Sequence, residues 1–318
     1  MKTTTKIATW SLAALLATGF TTYKKDDIKP SNPRITLTTA KNVGEKITLR
    51  INAADADQND VWIDLNNNNK KDHGEVVTSF GSQEEYTLRA KSVTIYGKVT
   101  ELYCNNNRLT ALNVSKNTLL KSLYCSDNQL KAFDVSKNTA LEEMECNGNQ
   151  ITGLNVSKNT ALWLLGCGGN PIKTLDVSKN TVLRVLACSD NLLNKLNVSK
   201  NTALEYLYCF NNQLKTLDVS KNTALGELEC NGNQLTALNV SKNIKLKHLR
   251  CYNNKIFGSK MNVLVKSLPK RMVSSKGNFY VIDLTITDGN KCTQAQVNIA
   301  KNKNWNVMNS NGSSYTGN

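Results

Sequence analysis

The chain has 318 residues, 40% of them hydrophobic and only 6% aromatic, with a formal net charge of +15. That is ample material for an extended core, and the basic balance permits an anionic partner; no nucleic-acid motif accompanies it, so nucleic acid is set aside. Nine cysteines occur and no pair is spaced C-x-x-C, which removes the usual zinc sites.

Residues 1–22 read as an export signal. Lys2 and Lys6 supply a basic start, and Ile7 to Phe20 supply an apolar run too short and too interrupted to span a bilayer. The following Thr21 to Asp27 resembles the junction of a bacterial lipoprotein, with Tyr23 standing where the acylated cysteine would be. The missing cysteine argues against a lipid anchor while export remains the expectation. Residues 23–33 read as a tether carrying Pro30 and Pro33.

From residue 34 to 98 the hydrophobic period becomes two. Ile35–Thr38, Lys46–Ile51, Val61–Ile63, Tyr86–Leu88 and Val93–Tyr96 alternate as strands do, which predicts a small β cap. One segment of the cap has coordination chemistry. Asp64, Asn66, Asn68, Asp72 and Glu75 place side-chain oxygens at positions 1, 3, 5, 9 and 12 of a twelve-residue loop, with the Lys70 carbonyl at position 7. This is the ligand spacing of an EF-hand calcium loop, entered here from a strand. Asn69 takes the place of the usual glycine, since asparagine tolerates the left-handed backbone. Two readings stand: a Ca²⁺ site, or an Asn/Asp-rich hairpin turn with no ion.

Residues 99–257 form eight units of 21 residues. Cys104, Cys125, Cys146, Cys167, Cys188, Cys209, Cys230 and Cys251 recur at that interval, each followed three residues later by asparagine. A leucine or methionine stands two before each cysteine, a leucine or isoleucine five after, and most units close on Asp/Asn-Val-Ser-Lys-Asn-Thr. A fixed short period of this kind marks a solenoid, because one unit cannot bury its apolar face without neighbours. The pattern resembles the leucine-rich repeat, L-x-x-L-x-L-x-x-N-x-L, and its cysteine-bearing, 21-residue form is similar to the internalin J subtype of bacterial surface proteins. That resemblance implies a right-handed superhelix with one short parallel strand per repeat, and an adhesive or recognition role at a cell surface.

Stacked strands lie about 4.8 Å apart, wider than the ~3.8 Å between Cβ atoms of a relaxed disulfide. The eight ladder cysteines are therefore expected as buried free thiols, with Cys292 a lone cap cysteine. The asparagine after each cysteine is expected to bond backbone groups of adjacent turns as an internal ladder. Alternation along each strand puts the residues three before, one before and one after each cysteine on the concave face. At its centre fall Leu164, Val185, Tyr206, Tyr208 and Phe210, extended at the edge by Trp163. Gly166, Gly168 and Gly169 are expected to leave a shallow dent, with Glu143, Glu145, Glu227 and Glu229 as an acidic rim. The lysine of each Ser-Lys-Asn motif, Lys116 to Lys242, reads as a solvated convex face.

Residues 258–318 leave the period. Met261–Leu268 predicts a short helix ended by Pro269, Phe279–Leu284 a strand, Thr293–Lys303 a helix and Trp305–Val307 a last strand. Together they form an α/β cap, with a frayed tail from Asn309.

The two histidines, His73 and His248, sit in no nucleophile motif. The pairs Glu143/Glu145 and Glu227/Glu229 have carboxylates about 7 Å apart along a strand, within the range of an inverting glycosidase. An open face, however, lacks the walls that raise one carboxyl pKa. The expectation is therefore a non-enzyme: a protein- or glycan-binding module acting at a cell surface, with a structural spacer as the alternative and a glycan-acting enzyme as a distant third.

Overall fold

The computed structural model describes residues 32–317. The proposed export signal, the Tyr23 junction and most of the tether lie outside the described residues.

Two strands of the N-terminal cap alternate strictly between buried and outward residues. Strands β1 (Arg34–Thr39) and β2 (Lys46–Asn52) bury Ile35, Leu37, Ile47, Leu49 and Ile51 and turn their polar residues outward, except Thr39, which is buried and donates to Asn107 O at 2.6 Å. Strands β3 (Trp62–Asp64), β4 (Gln83–Thr87) and β5 (Ser92–Tyr96) follow. A short 3-10 turn at Asp55–Asp60 separates β2 from β3. The expected strand at Tyr86–Leu88 sits earlier, because the Leu88 N–H is taken by Glu45 O in a turn.

Each repeat contributes one three-residue strand: β6 (Glu101–Tyr103), β8 (Ser122–Tyr124), β9 (Glu143–Glu145), β10 (Leu164–Gly166), β11 (Val185–Ala187), β12 (Tyr206–Tyr208), β13 (Glu227–Glu229) and β14 (His248–Arg250). All eight pair in parallel at matched register, so that Leu102, Leu123, Met144, Leu165, Leu186, Leu207, Leu228 and Leu249 fall in one buried file. The chain is a leucine-rich repeat solenoid. The file of cysteines beside the leucines is fully buried, and all nine cysteines are free.

A further strand, β7 (Leu109–Asn113), lies in the first repeat and pairs antiparallel with β1. The cap thus holds the first repeat from both sides: β2 pairs antiparallel with β6 and closes the open edge of the concave sheet, while β1 takes β7. Without such cover the edge of the first turn would expose unpaired backbone groups. Asn107, the first ladder asparagine, completes the joint: its amide donates to Thr48 O at 2.7 Å and accepts from Thr48 N at 2.9 Å.

At the far end, helix α1 (Gly258–Ser267), strand β15 (Gly277–Ile282), helix α2 (Gln294–Lys301) and strand β16 (Trp305–Asn309) continue the sheet in parallel. Phe279 takes the place of the buried leucine beside Leu249. Asn290 extends the asparagine ladder by donating to Cys251 O at 2.8 Å and accepting from Ile256 N at 2.8 Å. The C-terminal cap is a pair of enlarged turns with helices in place of the Ser-Lys-Asn turn. Thr293 caps α2 through a reciprocal bond pair with Gln296.

The tail corrects the sequence reading. It does not fray: Tyr315 is buried, its hydroxyl donates to Cys292 O at 3.0 Å, and its N–H donates to Val307 O at 2.9 Å. The Asn-Gly-Ser run is a turn that brings this aromatic back over the last strand.

Among the described residues, no helix is long and apolar enough to cross a membrane.

Candidate functional site

Two ladders of asparagine make the repeat backbone rigid, and only one was legible beforehand. In the first, each asparagine three beyond a cysteine from Asn128 onward donates to carbonyls of its own and the preceding turn and accepts an amide of the preceding turn. Asn191, for instance, donates to Cys167 O at 3.0 Å and Cys188 O at 3.2 Å and accepts from Ile172 N at 3.0 Å. The second ladder is the asparagine of Ser-Lys-Asn: Asn180 is fully buried and donates to Val156 O at 3.0 Å and Asn159 O at 2.8 Å. Its strict recurrence beside an exposed lysine was the available signal. The seven lysines of that motif, from Lys116 to Lys242, are all exposed.

On this scaffold two outward rows run across the concave sheet. The first, three residues before each cysteine, reads Glu143, Leu164, Val185, Tyr206, Glu227, and the second, one before, reads Glu145, Gly166, Ala187, Tyr208, Glu229. The sheet therefore brings Leu164, Val185, Tyr206 and Tyr208 together between the two acidic pairs. Tyr206 is 40% exposed, and Trp163, Leu164, Val185, Tyr208 and Phe210 are half-buried. Gly166 and Gly168 are buried; Asn147 and Glu145 lean over Gly166, so the dent is narrower there than a bare glycine implies.

The acidic rim is not uniform. Burial pushes the Glu145 carboxyl up, with Glu143 adding to the shift. Burial also raises Glu229, opposed by the Arg250 guanidinium, which lies 3.0 Å from it. Tyr208 is pushed up to about 12 by burial and by Glu227 and Glu229. Both ends of the face carry arginine–aromatic clusters that the sequence reading left out. Tyr103 and Tyr124 stack at 4.2 Å with Arg50 of the cap over Tyr103, and the Tyr124 hydroxyl donates to Glu143. At the other end Arg250 lies 4.0 Å over Tyr280. Arg50 and Tyr280 belong to the caps, so no repeat pattern could have placed them.

The loop from Asp64 to Glu75 folds as a closed turn. Asp64 accepts from Asn68 N at 3.1 Å and Asn69 N at 2.8 Å; Glu75 accepts from Leu65 N at 3.0 Å and Asp72 N at 2.9 Å. Both carboxylates are fully buried. The side-chain amides of Asn66 and Asn68 donate to Asp72 and hold its carboxyl below the usual range. The Asn68 oxygen accepts from Lys70 N at 2.8 Å, and Asn69 has the left-handed backbone expected of it, φ 60. Among the described residues no three His, Cys, Asp or Glu side chains gather as a metal-binding group. Side-chain oxygens at positions 1, 3, 5, 9 and 12 each accept from backbone or amide donors of the turn itself.

The fold and the buried cysteine file define a leucine-rich repeat protein with a cysteine ladder. The chain is similar to the functional domain of InlJ from Listeria monocytogenes, which also includes a cysteine ladder, at 30% identity and a TM-score of 0.55 over 65% of this chain and 49% of that one. A leucine-rich repeat protein of Leptospira interrogans shares the fold at 23% identity and a TM-score of 0.54, over 66% of this chain and 54% of that one. The chain therefore spans about half the length of these two solved structures. No family model matches the chain, and no curated protein matches its sequence.

Proposed function

We propose that the chain is an exported recognition protein that binds a protein or glycan partner at a cell surface through its concave face, and that it is not an enzyme. The observation that carries this reading is the aromatic rung of Tyr206, Tyr208 and Phe210. The core is complete without it, since Leu207 on the same strand and Cys209 just beyond it are fully buried. Large apolar side chains that the core does not need, grouped on one exposed face, mark interaction sites. The resemblance in sequence and fold to InlJ supports the same class of role.

Replacing Tyr206, Tyr208 and Phe210 with alanine tests the reading. The melting temperature should stay close to that of the parent, while affinity for a captured surface partner should fall by about 2 kcal/mol or more, as for buried aromatic hot spots. A spacer would tolerate the triple substitution in every cell-adhesion and binding assay. Undiminished binding would place the partner elsewhere.

A further inference from the structure

At the end of the concave strands, beside the aromatic rung, the surface opens into a dent of about 380 Å³. Its floor is Gly148, Gly168 and Gly169, and its sides include Asn147, Asp190 and Phe210. Backbone geometry does not demand this opening. Gly169 has φ 63, but Asp127, Asp190 and Asn211 adopt the same conformation at the same repeat position, with φ 55, 53 and 50. Position 168 is likewise Asn147 one turn earlier and Ser189 one turn later. A Cβ built on Gly169 would meet only the backbone of Gly148, at 3.3 Å, so no neighbouring side chain occupies the space. Glycine here removes side chains that most of the other repeats carry.

The lining is mixed in a specific way. Tyr208 and Phe210 present ring surface from one side. Asn147 uses its oxygen on Gly168 N at 2.8 Å and one amide hydrogen on the Glu145 carboxylate at 3.5 Å, which leaves the other amide hydrogen for a partner in the dent. Asp190 accepts from Asn211 through one carboxylate oxygen at 2.8 Å, leaving the second as an acceptor, and the Ser189 hydroxyl stands beside it. An apolar peptide anchor would cover these three polar groups without pairing them, which is unfavourable. A pyranose ring matches them: its C–H face lies on an aromatic ring, and its hydroxyls both donate and accept at the rim. An acidic sugar is disfavoured by Asp190 and by the neighbouring Glu145.

We propose that this dent is a carbohydrate subsite that takes a neutral pyranose unit of a glycan, with Tyr208 and Phe210 as the stacking surface and Asn147, Ser189 and Asp190 as hydroxyl partners. The proposal rests on the concave-face recognition reading and narrows its ligand class.

An array of immobilised neutral, sialylated and sulfated oligosaccharides, probed with the full chain, tests it, followed by calorimetric titration of each saccharide bound. Gly169→Asn fills the dent with a residue already used at that repeat position, so the fold is kept. Asp190→Gly removes a hydroxyl partner and suits the left-handed backbone there, since Gly148 and Gly232 hold the same repeat position at φ 61 and 63. The expected result is binding of a neutral saccharide that weakens by about tenfold or more in both variants, with unchanged thermal midpoints. Tyr206→Ala, on the same face but outside the dent, should weaken saccharide binding less. Binding of acidic glycans only, no saccharide binding, or equal affinity in Gly169→Asn would overturn the subsite. A protein partner lost in Tyr206→Ala but retained in Gly169→Asn, with no saccharide bound, would overturn the subsite and leave the concave reading standing.

Discussion

Asn191→Ala in the central repeat tests whether the first asparagine ladder holds the turns together. The side chain makes four bonds: it donates to Cys167 O, Cys188 O and Ser189 O, and accepts from Ile172 N at 3.0 Å. These losses are unequal. Cys167 O still receives Asn170, Cys188 O still receives Asn212, and Ser189 O still receives Gly169 N. Only the Ile172 N–H, in a buried turn, loses its partner. An orphaned buried donor costs about 1–3 kcal/mol, and three bonds to carbonyls that keep another donor add less than the usual ~1 kcal/mol each. The expected destabilisation is about 2–4 kcal/mol in urea unfolding. Because each turn contacts only its neighbours, hydrogen exchange should quicken mainly between residues 167 and 212. A loss below ~1 kcal/mol, or exchange that quickens evenly along the chain, would refute the reasoning.

Three further outcomes follow from the same structure. Thiol titration of denatured, unreduced protein should find most of the ladder cysteines free, with native protein nearly unreactive, since burial raises Cys104 and Cys167 to about 12. Cys188→Ser should destabilise by about 1–3 kcal/mol, and fewer than half of the ladder thiols reacting would show disulfides between turns. Calcium occupancy of loop 64–75, proposed on its ligand spacing, should stabilise the N-terminal cap by about 2.7 kcal/mol at a hundred times the dissociation constant. Asp64→Ala with Glu75→Ala should abolish the shift, and an unfolding curve indifferent to Ca²⁺ and chelator removes the site. Glu145, raised by burial and by Glu143, holds its proton more tightly folded than unfolded. Its contribution to stability is therefore present below the unfolded pKa and lost as pH rises through the folded one. Glu145→Gln should gain on the parent at neutral pH relative to about pH 4, near the unfolded glutamate pKa. A stability difference that does not change with pH would refute this.

Much of this architecture is local chemistry repeated, and a repeat is readable as such. The 21-residue period demands stacking, and strand alternation then assigns Leu186 inward and Tyr206 outward without any coordinates. The same alternation sets Leu164, Val185 and Tyr206 in one row, because parallel pairing at matched register carries a repeat position straight across the sheet. What the sequence does not state is which non-repeating segment meets which turn. The stack of Arg50 on Tyr103 exists because β2 pairs with β6, and the ordered tail exists because Tyr315 finds Cys292 O. The clearest case is a pentapeptide present twice. Leu-Thr-Ala-Leu-Asn is strand β7 at residues 109–113 and irregular chain at 235–239. The first copy lies beside β1, whose backbone pairs with it, whereas the second has only the flanking turns, whose equivalent segments are not strands. The five residues set which side chains face inward, Leu109 and Leu112 as Leu235 and Leu238. Whether their backbone becomes a strand was decided by a neighbour about seventy positions away in the chain, because a ladder needs a second backbone and no local propensity supplies one.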